Sequence, residues 1–249
     1  MVELEGARRL LLRVEFQWGV VLHVAHTVQI SEREVFVWTD APVRRKDVLD
    51  LALSFPGLLE PLTLRGTVTQ RFASVDPGDP VGLVLAWDDA GADSEGLRSF
   101  LQSVDEALRG GRRRPGGDAE PYRVLFVEDS DLMRDMFHLG ALKYFRRDKK
   151  GMVEVDIAQN LAGAWELYRH SRYDMVLIDF FLPDGTGNEL VTRIRDRPAD
   201  RPTTCVGVSV GGTEARQCLL DAGVDMFLDK PVVLQDLFST LEVLSALGT

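Results

Sequence analysis

Between Arg123 and Leu247, short apolar runs alternate with helical stretches five times over. Arg123–Val127 is an apolar run, and Asp131–Tyr144 has helical spacing. Val153–Ile157 is strand-like and Leu161–His170 helical. Met175–Ile178 precedes helical Glu189–Arg195. Cys205–Val208 precedes helical Glu214–Ala222, which stops at Gly223, a helix-ending glycine. Met226–Leu228 precedes helical Leu234–Leu247. Parallel strands cannot be joined by tight turns, so strands that alternate with helices imply crossovers. The expected architecture is an α/β doubly wound, five-stranded parallel sheet with helices on both faces. The strand runs are continuously apolar rather than alternating, which suits burial on both faces. In such a sheet, ligands bind beyond the carboxyl ends of the strands.

The first part of the chain follows another pattern. Val14–Val24, Thr27–Ile30, Val35–Trp38, Val48–Phe55, Leu62–Phe72 and Val81–Trp87 read as strands, separated by turn-rich pieces such as Phe55-Pro-Gly57 and Asp76-Pro-Gly-Asp-Pro80. Many short strands with frequent turns imply a small antiparallel β-barrel. Ser94–Leu108 reads as one helix, with Leu97, Leu101, Val104 and Leu108 along one side. Arg109–Asp118 holds four glycines, a proline and four arginines. Such a run cannot bury apolar surface and reads as a flexible linker. The expected domains are residues 1–108, a linker at 109–121, and residues 122–249.

A net charge of -10 argues against broad nucleic-acid binding, which needs Lys and Arg to replace counterions along the backbone. The two cysteines, Cys205 and Cys218, sit in apolar or helix-like contexts and read as reduced thiols. No apolar run approaches the ~18–20 residues of a membrane span, so no membrane insertion is expected. The N-terminal stretch is too acidic for a signal peptide, and the expected location is cytoplasmic.

The strand ends of the second half carry the chemistry. Glu128 and Asp129 end the first strand, Asp179 the third, Ser209 the fourth, and Lys230 closes the fifth. All would converge on one edge of the sheet. Three carboxylates together need a compensating cation, and Mg²⁺ suits them because it also binds phosphate oxygens. Lys230 adds a point charge, and the Ser209 hydroxyl can donate to a phosphate oxygen. The chemistry is attack by the Asp179 carboxylate on phosphorus, giving an aspartyl phosphate.

Residues 122–249 resemble a response-regulator receiver domain, a flavodoxin-like fold, through Val124–Met136 (VLFVEDSDLMRDM), Asp174–Gly187 (DMVLIDFFLPDGTG), Val206–Ser209 (VGVS) and Phe227–Pro231 (FLDKP). The resemblance implies a phosphoacceptor, Asp179, served by a histidine kinase. It implies Mg²⁺ held by Asp129 and Asp179, by Glu128 partly through water, and by the backbone carbonyl of Phe181. It makes Ser209 and Phe227 the switch pair and Lys230 the site's cation, with a cis Lys230–Pro231 bond. Two residues depart from the family pattern. Val210 stands where alanine or glycine is usual and can slow entry of donor or water. Phe181 is bulky for its position and can lengthen the phosphoryl lifetime.

Arg9 and Arg13 form an RxxxR pattern. With Thr27–Val43, Leu62–Arg71 and Gly82–Trp87, they make residues 6–108 resemble a PilZ domain, the cyclic di-GMP receptor barrel. The family's second motif, [D/N]xSxxG, aligns with Gln29–Glu34 and keeps only Ser31. Glu34 in place of glycine adds bulk and a repelling charge beside a diphosphate. The expectation is a degenerate PilZ-like barrel that has lost cyclic di-GMP and serves protein contacts.

The whole chain then reads as a non-enzymatic, two-component signalling protein with no further output domain. It would take a phosphoryl group from a histidine kinase and signal to a downstream protein, and the pairing of families resembles adaptors of motility, surface or developmental control. Two alternatives stay open. One is a two-input integrator that binds cyclic di-GMP through Arg9, Arg13 and Ser31. The other is an unphosphorylated pseudo-receiver scaffold. A phosphatase with Asp179 as nucleophile would want a second Asp where Phe181 stands.

Overall fold

The computed structural model describes residues 3–56, 59–72, 81–88, 94–110, 121–145, 153–197, 203–210, 212–230 and 234–247. It divides the chain into two compact units, Met1–Arg113 with Ser239–Thr249, and Arg114–Phe238. Most of the expected linker and the Lys230–Pro231 bond lie outside the described residues.

In the first unit, β1 (Arg13–Trp18), β2 (Val21–Ile30), β3 (Glu34–Trp38), β4 (Val48–Phe55), β5 (Leu59–Phe72) and β6 (Gly82–Trp87) close into a barrel in the order β1-β2-β3-β6-β5-β4. Every pairing is antiparallel. Alternate residues point inward, as the period of two requires: Val14 and Phe16 of β1, and Leu49, Leu51 and Leu53 of β4, are buried. Helix α1 (Ser94–Gly110) buries Leu97, Leu101 and Val104, the stripe expected from its spacing.

One boundary differs from the sequence expectation. Val14–Val24 is not a single strand but a hairpin that turns at Gly19, whose φ of +63° is left-handed. The apolar residues Trp18, Val20 and Val21 on both sides of that glycine mask the turn. Val20 is 97% exposed at the tip.

The second unit contains β7 (Tyr122–Val127), α2 (Asp131–Phe145), β8 (Val153–Ala158), α3 (Leu161–His170), β9 (Met175–Asp179), β10 (Phe181–Leu182), β11 (Gly185–Thr186), α4 (Gly187–Arg195), β12 (Thr204–Ser209), α5 (Gly212–Asp221) and β13 (Met226–Asp229). Helix α6 (Leu234–Leu247) spans the division between the units. The five-stranded sheet runs β13-β12-β9-β7-β8, all parallel. This is the doubly wound architecture the alternating pattern implied. Every residue of β9 and β12 is buried, which accounts for their unbroken apolar runs. The winding reverses between β7 and β9, so the crevice of this sheet opens at their carboxyl ends. Gly223, at φ +93°, ends α5 as expected.

The β10–β11 hairpin was not expected. It pairs Phe181 with Thr186 and Leu182 with Gly185, too short a ladder to show as periodicity.

Candidate functional site

Parallel pairing aligns the strand ends. Val127 lies opposite Ile178, Asp179 opposite Val208, and Ser209 opposite Asp229. Glu128, Asp129, Asp179, Ser209 and Lys230 therefore all emerge at one edge, beside the point where the winding reverses. Glu128, Asp179 and Ser209 are buried, while Asp129 is exposed.

Lys230 ties the buried part together. Its Nζ donates to Glu128 Oε2 at 2.8 Å and to Asp179 Oδ2 at 2.9 Å. Burial alone would lower the lysine's pKa. The hydrogen bonds to Glu128 and Asp179 outweigh that and raise it, so the ammonium stays charged. Burial raises the pKa of Glu128, and the nearby Asp179 charge adds to it against the pull of Lys230.

One oxygen from each of Glu128, Asp129 and Asp179 lies within 4.8 Å of the others. Asp179 Oδ1 is buried and has no hydrogen-bond partner. A buried carboxylate oxygen without a donor is costly unless something else satisfies it. Three hard oxygen ligands suit Mg²⁺, which keeps several waters. The residues fit that ion, and Glu128, Asp129 and Asp179 are the ones that could hold it.

The backbone around Asp179 is tightly packed. Phe180 N–H donates to Val208 O at 3.0 Å, and Gly187 N–H donates to Phe180 O at 2.8 Å. A Cβ on Gly187 would lie 2.4 Å from the Asp179 carbonyl oxygen, so only glycine lets α4 start this close to the strand end. Asp184 caps α3 from the β10–β11 turn: Oδ1 accepts Leu161 N–H at 2.8 Å and Oδ2 accepts Ala162 N–H at 3.0 Å.

Phe181 and Val210 stand at the rim, 52% and 73% exposed. Phe227 is buried, with the Arg216 guanidinium carbon 5.4 Å from its ring centroid.

Sequence reasoning passed over Arg134. Its side chain, only 11% exposed, donates to the carbonyls of Glu128 and Asp129 and pairs with Asp131. The available signal was an arginine one helical turn past Ser130, whose hydroxyl accepts Met133 N–H at 3.4 Å and caps α2.

In the barrel, Arg13 pairs with Glu15 and its buried Nε has no hydrogen-bond partner, while Arg9 is exposed. Ser31 Oγ accepts Glu34 N–H at 3.0 Å and Arg33 N–H at 3.2 Å, which commits it to its own turn. Gln29 Oε1 accepts Leu4 N–H at 2.9 Å. Arg8 is locked by Asp105, its Nε donating to Oδ1 at 2.8 Å. An open cleft of about 310 Å³ beside it is lined by Arg8, Glu32, Arg98, Gln102, Asp105 and Glu106.

Residues 124–242 match the model of the response regulator receiver domain family. Over 124 residues the chain is 28% identical to the response regulator MprA of Mycobacterium sp. (strain KMS), covering 50% of each protein. It is 32% identical over 114 residues to the response regulator protein PilR of Pseudomonas aeruginosa, covering 45% of this chain and 23% of PilR. It is also 28% identical over 153 residues to the sensor histidine kinase RcsC of Salmonella typhi, covering 61% of this chain and 14% of RcsC. The chain thus spans half the length of the MprA relatives it matches, and less of the others. Among solved structures, the chemotaxis response regulator CheY4 of Vibrio cholerae is 25% identical, with a TM-score of 0.42, over 50% of this chain and 98% of CheY4. Residues 124–242 of this chain thus form a response regulator receiver domain.

Proposed function

We propose that this domain accepts a phosphoryl group on Asp179 from a histidine kinase and passes the signal on by protein contacts. The observation that carries the reading is the buried, unpartnered Asp179 Oδ1, set among two more carboxylates and Lys230.

The transfer is a displacement at phosphorus. An Asp179 carboxylate oxygen forms the new P–O bond. The bond from phosphorus to the donor's imidazole nitrogen breaks, and its electron pair leaves with the imidazole. Mg²⁺, when bound, neutralises charge on the phosphoryl oxygens. Lys230 offers its ammonium to a transferred oxygen once its bond to Asp179 yields, and the Ser209 hydroxyl donates to another. Phosphorylation adds about -1.5 to -2 charge at the sheet edge. Ser209 moves toward that charge and Phe227 fills the vacated space, repacking the face of α5, β13 and α6 that a downstream protein reads. This work belongs in the cytoplasm. Incubation with Mg²⁺ and acetyl phosphate should add one phosphoryl group by intact mass, and Asp179→Asn should add none. Equal labelling of both proteins would sink the assignment.

For the barrel, the reading is a degenerate PilZ-like module without cyclic di-GMP. Its support is the occupation of the candidate ligand groups: Arg13 by Glu15, Ser31 by its turn and Gln29 by Leu4. The cleft beside Arg8 carries three carboxylates against two guanidiniums, a poor match for a diphosphate. Titration with cyclic di-GMP should show no saturable binding. Binding that Arg9→Ala and Arg13→Ala both abolish would replace this with the two-input reading.

A further inference from the structure

Three carboxylates share the candidate cation site, yet Lys230 restrains only two of them, Glu128 and Asp179. Asp129 is exposed, and among the described residues no hydrogen bond to its carboxylate holds it in place. Beside two like charges an exposed carboxylate gains by turning toward water, yet its oxygen lies within 4.8 Å of theirs. Something must aim it inward before an ion arrives.

The backbone supplies the restraint. Arg134 Nη1 donates to Glu128 O at 3.1 Å and also to Asp129 O, while Nη2 pairs with the Asp131 carboxylate. Glu128 O belongs to the peptide plane before Asp129, and Asp129 O to the plane after it. The φ of Asp129 is its rotation against the first plane and ψ its rotation against the second. One guanidinium therefore holds both planes that flank a single Cα, and the direction of the Asp129 Cα–Cβ bond follows. The arginine itself sits on a rigid base. Arg134 N–H donates to Ser130 O at 3.0 Å in the first turn of α2, and the side chain is largely buried.

We propose that Arg134 is a positioning residue for the divalent cation, its Nη1, steadied by the Nη2 contact to Asp131, holding the two peptide planes that aim Asp129 into the site. The inference rests on the reading of this site as a cation site.

Two effects of Arg134 have opposite signs, which makes the idea testable. Its positive charge near the carboxylates disfavours a cation. Its Nη1 contacts favour one by holding a ligand in place. A purely structural arginine would shift the melting temperature and leave Mg²⁺ affinity unchanged. A purely electrostatic one would weaken Mg²⁺ binding, so its removal would tighten it.

The experiment is calorimetric titration of MgCl₂ into the full chain, for wild type, Arg134→Ala and Arg134→Lys, each checked for folding by thermal melting. Arg134→Ala should weaken Mg²⁺ binding about tenfold or more, the scale on which lost support of a ligand shows. Arg134→Lys keeps the charge but loses the second nitrogen that anchors the side chain on Asp131, and should recover only part of the affinity. Labelling of Asp179 by acetyl phosphate should be slow in both variants at limiting Mg²⁺ and recover at saturating Mg²⁺. Affinity in Arg134→Ala equal to or tighter than wild type would overturn the proposal, as would wild-type affinity in Arg134→Lys. If Arg134→Ala does not fold, Arg134→Lys decides alone. A wild-type protein that binds no Mg²⁺ removes the cation site and this inference with it. Wild-type binding with unaffected variants removes only the inference.

Discussion

Lys230 Nζ stands 2.9 Å from Asp179 Oδ2, a contact between residues 51 positions apart in the chain. The same ammonium also reaches Glu128, 102 positions away, so one cation holds two buried carboxylates together. Replacing it by methionine leaves two carboxylates side by side and removes a charge that opposes the rise that burial causes in the Glu128 pKa. The larger loss is in transfer, because a charged donor aimed at the phosphoryl group is gone. Lys230→Met should slow acetyl phosphate labelling of Asp179 roughly 100-fold at saturating Mg²⁺, as removal of one such donor does elsewhere. A mass-spectrometric time course within a few-fold of wild type would refute that role.

Val210 and Phe181 are exposed apolar residues at the rim of the acidic site. If Asp179 is the acceptor, bulk at these two positions would narrow the approach of donor and water to it. Val210→Ala should speed labelling several-fold, and Phe181→Asn should shorten the half-life of the phosphorylated protein after donor removal. The first is read from build-up and the second from decay of the phosphorylated mass, and unchanged rates in both variants would show that the rim does not gate the site.

Gly187 lies against the acceptor's own backbone, where a Cβ would come 2.4 Å from Asp179 O. Backbone cannot yield as a flexible side chain does, so Gly187→Ala must displace either α4 or the end of β9. The cost should be about 1–3 kcal/mol, typical of overpacking a tight site. Denaturant unfolding measures it, and a stability equal to wild type would mean that this approach is less close than described.

Cys205 is fully buried in β12, and burial pushes its thiol up to about 12. A folded value above the unfolded one, about 8.5, means that the folded protein releases this proton later than the unfolded chain. The thiol's contribution to stability is thus complete below about pH 8.5 and is lost as the pH rises through the folded value. At pH 8, iodoacetamide should label half-buried Cys218 and spare Cys205 in the folded protein, and label both in guanidinium chloride. Peptide mapping that finds Cys205 modified in the folded state would contradict the burial.

Much of this protein is legible along the chain. The alternation of apolar runs with helical spacing determined the doubly wound sheet, because crossovers and two-sided burial leave that local signature. Once those strands are parallel, residues at their carboxyl ends must share one edge, so Glu128, Asp129, Asp179, Ser209 and Lys230 group together from sequence alone. The barrel was legible as a count of short strands between turns. Its β1–β2 hairpin was not, because Gly19 turns inside an apolar run and only the closed ladder distinguishes that glycine from one in a strand.

What the tertiary structure decided is how the grouped residues are held. Lys230 against Asp179, Arg134 across the peptide planes of Asp129, Asp184 on the start of α3, and Arg8 against Asp105 are all contacts of direction as much as proximity. Period and composition place a residue on a face or at a strand end. They do not say which carbonyl a guanidinium will meet, because that depends on backbone dihedrals fixed only when distant segments pack.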